Sequence, residues 1–186
     1  DGRNYALITY SDDQFTSYTH SITKASGKPA ILINDIAPNP DFELLSKQAK
    51  LYSQVKDKPE VIVALGGGSV IDSAKVFAAA GNGFEKIKKN LETKNGGQGL
   101  SSTPIIAVPS TSGTGSEVTC WATVWDKKNN HKYSLAHKKL FPEIAIIDPK
   151  LMIEKPYELT LVTALDALSH ALESIWNINA NIISSN

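Results

Sequence analysis

Three groups of residues have types and spacings that can do chemistry. Gly66, Gly67 and Gly68 follow directly on the apolar run at 61–65, VIVAL, and Ser69 opens a second apolar segment. Consecutive glycines let a backbone turn sharply and let a ligand approach with no Cβ in the way. A strand, a glycine turn and a helix start, in that order, point free N–H groups at an anion. The stretch therefore reads either as a seat for the diphosphate of a dinucleotide or as a glycine-rich turn without a ligand. It is not the spaced G-x-G-x-x-G fingerprint, and the glycines alone leave the two readings level. The second group is residues 109–117, PSTSGTGSE, rich in hydroxyls and carrying two glycines. Such a loop suits phosphate, ribose or carboxamide groups, or is simply solvated. Two such loops after neighbouring strand candidates shift the balance toward a nucleotide. No Gly-Lys-Ser/Thr follows a glycine run, so this is not a P-loop. The third group is Asp166 and His170, at i and i+4 on one helix face. A carboxylate and an imidazole so placed can share a divalent metal. By spacing alone an ion pair on a helix surface is the simpler reading, and two ligands do not complete a tight site. His20, His131 and His137 read as exposed residues of loops or helix surfaces.

The elements that must position these groups follow from periodicity and punctuation. Residues 5–10, 30–34, 61–65, 104–108 and 143–147 read as strands, the last closed by Asp148-Pro149. An unbroken apolar run such as 61–65 suits a strand buried on both faces of a parallel sheet. A helix is expected over 12–26 with Gly27 as its stop. Asp41 can cap the next, which aligns Phe42, Leu45, Ala49 and Tyr52. Ser69 can cap a third over 70–80, with Val70, Ala74, Phe77 and Ala78 on one face. Ala37-Pro38-Asn39-Pro40 is a turn, since its prolines exclude helix and ladder. Residues 81–102 are polar and read as a surface excursion with one short helix. Two β-rich runs around 127–130 predict a hairpin over 123–136. The β-α alternation predicts an α/β fold with a parallel sheet, and ligands in such sheets bind beyond the carboxyl ends of the strands. Both candidate loops lie at such ends. Leu161, Leu165, Leu168, Leu172 and Ile175 form an apolar stripe read as core, with Asp166, His170 and Glu173 beside it.

Composition narrows the class. The 186 residues hold one sizeable core, or one domain and part of another. Lys+Arg 19 balance Asp+Glu 19, which argues against nucleic-acid or membrane-surface partners. No apolar run approaches a membrane span. Cys120 is the only cysteine, which excludes disulfide scaffolds and cysteine-based zinc sites and points to a reducing cytoplasm. A start at Asp1 without Met, and an end at 175–186 with no finished tail, lead to the expectation of a piece of a longer chain.

Four motifs occur in order: GGGSVIDSAK at 66–75, PSTSGTGSEVT at 109–119, AIIDPKLM at 145–152 and TALDALSHALES at 163–174. Together they resemble the iron-containing (group III) alcohol dehydrogenases, over nearly the whole chain. The resemblance implies a Rossmann-like dinucleotide-binding domain over 1–155, with the architecture also found in dehydroquinate synthase. Residues 156–186 would be the first helix of an all-α domain cut short by the chain end. It implies an NAD(P)-dependent enzyme in which a metal, iron foremost, polarises the oxygen of a small alcohol or aldehyde, and which works as a homodimer or larger homo-oligomer. By position, Gly67, Gly68, Ser69 and Asp72 match the diphosphate turn. Asn39, Ser110, Thr114, Thr123 and Lys132 match further cofactor contacts, and Asp166 and His170 the first two metal ligands. The family's two further metal-binding histidines have no counterpart before Asn186, and no residue stands out as a proton donor. Many NAD-preferring members carry an aspartate where this chain has Tyr10-Ser11, which leans the cofactor toward NADP. The run SHALESIWN resembles the phosphonoacetaldehyde reductase branch. A lyase of the dehydroquinate synthase type, or a nucleotide-binding fragment without activity, are the alternatives.

Overall fold

A computed structural model describes residues 2–81, 83–93, 99–100, 102–153 and 155–184. Its centre is a five-stranded parallel sheet: β1 (Tyr5–Ile8), β2 (Ile31–Ile33), β3 (Val61–Gly66), β4 (Ile105–Pro109) and β7 (Ile144–Ala145), in the order β2-β1-β3-β4-β7. β1, β2 and β7 are shorter than the runs read from the sequence, and the edge strand β7 keeps only two residues, paired with Ile106 and Ala107 of β4. Both faces of the centre are covered. Ala6, Ile8, Ile62 and Ala64 face one core, and Tyr5, Leu7, Val61 and Leu65 face the other. This is the arrangement that continuous rather than alternating apolar runs require.

Helices α1 (Asp13–Ser26), α2 (Phe42–Ser53), α3 (Gly68–Ala80) and α4 (Phe84–Thr93) follow the early strands. Asp12 and Asp41 cap α1 and α2, accepting from Phe15 N at 3.2 Å and Leu44 N at 3.0 Å. The cap expected of Ser69 is not formed. α3 starts two residues earlier than expected, at Gly68, with Gly67 in the cap position and no side chain satisfying that end. Part of the stretch read as a surface excursion is core: Phe84, Ile87 and Leu91 of α4 are buried against α2 and α3. Residues 82, 94–98 and 101 of that stretch lie outside the described residues.

The hairpin is present as β5 (Trp121–Asp126) and β6 (His131–Ala136), with Trp121 opposite Ala136 and Asp126 opposite His131. Ala122, Val124 and Leu135 point into the core, leaving Trp121, Thr123 and Trp125 on the other face. A short helix α5 (Lys150–Ile153) leads to α6 (Tyr157–Trp176). The stripe read as core on α6 is exposed: Leu165 and Leu168 keep 55% and 54% of their surface, and Thr163 is the only buried residue of the helix. Amphipathic spacing marks a face that can be buried, but among the described residues no element packs over it. No helix among the described residues is long and apolar enough to cross a membrane.

The junction between β3 and α3 is closely packed. A Cβ on Gly66 would sit 2.5 Å from Val70 Cγ2 and 2.8 Å from Val70 Cβ. Gly66→Ala is therefore expected to destabilise the protein by about 1–3 kcal/mol through overpacking. For a chain of this size that lowers the melting temperature by several degrees, roughly 2–4 °C per kcal/mol. A thermal melt of the variant that overlays the wild type would contradict this packing.

Candidate functional site

In the parallel register Gly66 lies beside Pro109, so the glycine turn and the hydroxyl-rich loop leave the sheet side by side at its carboxyl edge. Ser110 N donates to Gly66 O at 3.0 Å and ties the two exits together. The loop then folds back over the turn. A Cβ on Gly67 would lie 3.3 Å from the Thr111 side chain, and one on Gly68 only 2.9 Å from Thr114 Oγ1. The glycines thus make room first for the neighbouring loop.

The Pro-Asn-Pro turn reaches the same place by another route. Trp125 N donates to Pro40 O at 3.0 Å, which attaches the turn to the hairpin. Asn39, at φ 54°, then donates its backbone N–H to Ser69 Oγ at 3.2 Å. The Ser69 hydroxyl, expected to cap α3, instead accepts from this turn.

Asp72 is engaged with protein groups. Its Oδ1 accepts from Ser116 Oγ at 2.7 Å and its Oδ2 from Thr123 N at 2.8 Å. Burial raises its pKa above the ordinary carboxylate value, and the bonds from Ser116 and Thr123 pull the other way. Lys132 stands across the hairpin from Trp125, with its ammonium 5.7 Å from the indole centre.

Together these elements surround one cleft of about 1130 Å³. Its wall includes Asn39, Gly67, Gly68, Ser69, Asp72, Ser110, Thr114, Thr123, Lys132, Asp166 and His170. All eleven residues singled out in the sequence therefore meet in one place. The volume lies just above the range of small-molecule clefts, roughly 300–1,000 Å³, and an uncapped helix start opens onto it. These features fit a dinucleotide. α6 enters through Gly113, whose Cβ would lie 2.6 Å from Thr163 O. Leu159, Thr163, Asp166 and His170 then line the cleft along one side of the helix. Asp166 Oδ1 and His170 Nε2 are 3.7 Å apart and partly exposed. Carboxylate oxygen with imidazole nitrogen is a donor set that first-row divalent metals accept. Among the described residues no group of three or more His, Cys, Asp and Glu is assembled for a metal.

Several residues of the site were not singled out in the sequence. Tyr10, weighed above only for the choice of cofactor, forms a wall, and burial foremost raises its pKa. Trp121 and Trp125 line the cleft from the hairpin. Lys75, inside the first motif, is fully buried and lies outside the cleft wall. Only the alternation in 121–125 carried a readable signal, placing both tryptophans on the face of Thr123.

The comparisons point one way. The family model described as iron-containing alcohol dehydrogenase matches residues 2–149. An NADPH-dependent butanol dehydrogenase of Clostridium saccharobutylicum is 36% identical over 158 residues, 81% of this chain and 39% of its own length. The sulfoacetaldehyde reductase of Bifidobacterium kashiwanohense, solved in complex with NAD+, superposes with a TM-score of 0.77 at 30% identity over 94% of this chain and 46% of that one. The NADH-dependent butanol dehydrogenase A of Thermotoga maritima gives 0.83 at 29% identity, over 99% and 46%. The chain thus spans less than half the length of each of these proteins.

Removing the Asp72 carboxylate tests the cleft's architecture without any ligand. Asp72→Ala leaves the Thr123 amide and the Ser116 hydroxyl without their acceptor, which is expected to cost about 1–3 kcal/mol. Urea unfolding monitored by circular dichroism reads this loss, and an unshifted midpoint would mean that the carboxylate does not hold the hairpin.

Proposed function

This chain belongs to the iron-containing alcohol dehydrogenase family, and from that premise we propose that it forms the nucleotide-binding part of an oxidoreductase. The enzyme moves a hydride between NAD(P) and a small alcohol or aldehyde. The observation that carries this reading is one cleft shared by the glycine turn, the hydroxyl loop, Lys132 and the Asp166–His170 pair. In this reading residues 1–155 are the dinucleotide domain and 156–186 begin a helical, metal-binding one. When bound, the nicotinamide supplies the hydride and the metal Lewis acidity toward the substrate oxygen. The chain's own residues hold and orient. Gly67, Gly68 and Ser69 present the start of α3 to the diphosphate. Ser110, Thr114, Thr123 and Asn39 offer polar groups along its length, and Lys132 offers positive charge. Asp166 and His170 supply two of the metal's donors, with iron the preferred ion by family.

The finer choices rest on particular residues. Ser11, between the cleft residues Tyr10 and Asp12, is neutral and leaves room for a 2′-phosphate, and the Asp12 carboxylate is already engaged as the cap of α1. This favours NADP. The substrate is a short aldehyde, with phosphonoacetaldehyde the leading candidate. The relative described as a sulfoacetaldehyde reductase gives that choice a precedent in the same size and charge class. The exposed apolar stripe of α6 and the open edge at β7 are consistent with a homodimer or larger assembly, which sedimentation of the purified protein tests. A single unpaired cysteine is consistent with the cytoplasm.

Trp121 and Trp125 line the cleft and provide a probe. Bound NADPH or NADH is expected to quench tryptophan emission and appear in nicotinamide fluorescence by energy transfer. Saturable transfer supports the cofactor reading, and its absence with both nucleotides rejects it. Ser11→Asp is expected to weaken NADPH at least tenfold more than NADH, because like charges a few Å apart at an effective dielectric near 20 repel by a few kcal/mol. Equal losses would place the 2′-phosphate elsewhere. With the full enzyme, net oxidation of NADPH by a panel of short aldehydes separates a dehydrogenase from a lyase that recycles its own NAD.

The metal pair has its own test. His170→Ala is expected to lower affinity for ferrous or zinc ion at least tenfold while helicity stays unchanged, since His170 is exposed on α6. Because two donors hold a metal weakly, calorimetric titration of the 186-residue chain should show a labile site, without one retained ion per chain. A tightly held ion, or a titration that His170→Ala leaves untouched, would contradict the assignment.

A further inference from the structure

The strongest unused feature is a buried cation. Lys75 has no exposed surface, and an ammonium out of water is tolerated only where hydrogen bonds and opposite charge offset its desolvation. Its Nζ donates to Ser116 O at 2.7 Å, Ser116 Oγ at 2.9 Å and Trp121 O at 2.7 Å, with Thr119 Oγ1 at 3.4 Å. None of these acceptors belongs to α3, the helix that carries the lysine. Asp72, nearly one turn earlier on α3, accepts from the same Ser116 hydroxyl and from the Thr123 amide. A core position needing only packing is filled more cheaply by an apolar side chain of similar volume.

The ammonium stands where three elements meet, and each carries a candidate nucleotide contact: Gly68 on α3, Thr114 in the hydroxyl loop and Thr123 on β5. We propose that Lys75 is a positioning residue, latching the hydroxyl loop and the hairpin onto the glycine-turn helix and so setting the cleft's affinity for the nucleotide. The proposal rests on the nucleotide reading above. Lys75 itself is no part of the cleft wall and acts through Ser116, Trp121 and, by way of Ser116, Asp72.

The charged and titratable groups facing it are Asp72 from α3, Glu117 from the loop and Cys120 next to β5, while Lys132 of β6 acts on Asp72. Burial lowers the Lys75 pKa from 10.5 to about 8. Between those values the unfolded chain binds the extra proton, so this group makes the fold more stable as pH rises through that window. The latch does the opposite: above pH 8 it loses its charge-assisted bonds, which are roughly twice as strong as neutral ones. Fold stability and nucleotide affinity therefore respond to Lys75 in opposite directions, which a lysine serving only the core would not produce.

The test compares wild type, Lys75→Met, Ser116→Ala and Cys120→Ser, with NADPH and NADH affinity read by tryptophan-to-nicotinamide transfer from pH 7 to 9.5. Wild-type affinity is expected to fall several-fold across the range, and Cys120→Ser to follow it. Lys75→Met is expected to be roughly tenfold weaker at pH 7, a 1.4 kcal/mol change, with a flat profile. Ser116→Ala keeps the lysine, removes the hydroxyl shared with Asp72 and should be weakened several-fold, which supplies the answer if Lys75→Met does not fold. Wild-type affinity in Lys75→Met at pH 7, a flat wild-type profile, or a pH response that persists in Lys75→Met overturns the proposal. If wild type binds neither nucleotide, the cofactor reading fails, and hydrogen exchange judges the latch alone. The Thr123 amide should then exchange at least tenfold faster in Lys75→Met at pH 7, and equal rates would reject the latch.

Discussion

The constraint on which the rest depends is the absence of side-chain volume where β3 passes into α3. Gly66 is pressed against Val70 and Gly68 against Thr114 at distances no Cβ could occupy. The chain can then turn within one residue, Gly67, and α3 begins at the sheet edge with its first N–H groups uncapped. Were the turn longer, the hydroxyl loop would not lie over it and the cleft would lose its floor. The same absence of volume serves two ends: it lets the neighbouring loop approach, and it leaves the backbone open to a ligand.

Polar groups then hold the walls around that floor. The network from Lys75 and Asp72 through Ser116 to Thr123 joins α3, the hydroxyl loop and the hairpin without an exposed link. Buried networks of this kind are costly unless satisfied, and satisfied they favour one arrangement over its alternatives. Here the arrangement brings residues from 39 to 132 into the wall of one cleft. α6 approaches differently. Thr163 against Gly113 is its close contact with the sheet domain, and that contact points Asp166 and His170 into the cleft while the leucine stripe stays exposed.

Much was legible in the residues themselves. Continuous apolar runs marked the sheet strands, because a strand covered on both faces has no polar side to show. Asp41 announced its helix through a local bond to the third residue on, which needs no distant partner, and Asp12, read as the first residue of its helix, caps α1 in the same way. The motif resemblance singled out eleven positions that prove to share one cleft. Signals of this kind are short-range or are carried whole by a motif.

What the chain could not declare depended on partners far along it. Ser69 has the type of a cap, yet its hydroxyl is claimed by Asn39, thirty residues earlier, because the hairpin draws the Pro-Asn-Pro turn over α3. Lys75 closes the first motif without any local sign of burial, and packing against residues 116–121 makes it a buried cation. The stripe on α6 fixed which face is apolar but not what covers it, since periodicity records a face and never its neighbour. The sequence by itself determined the sheet strands and the Asp41 cap, which local chemistry sets, and through the motif resemblance it marked candidate positions for a site. Tertiary structure alone decided which hydroxyl meets which amide, where the cation is buried and how α6 faces the cleft, because those depend on distances between segments that no local pattern encodes.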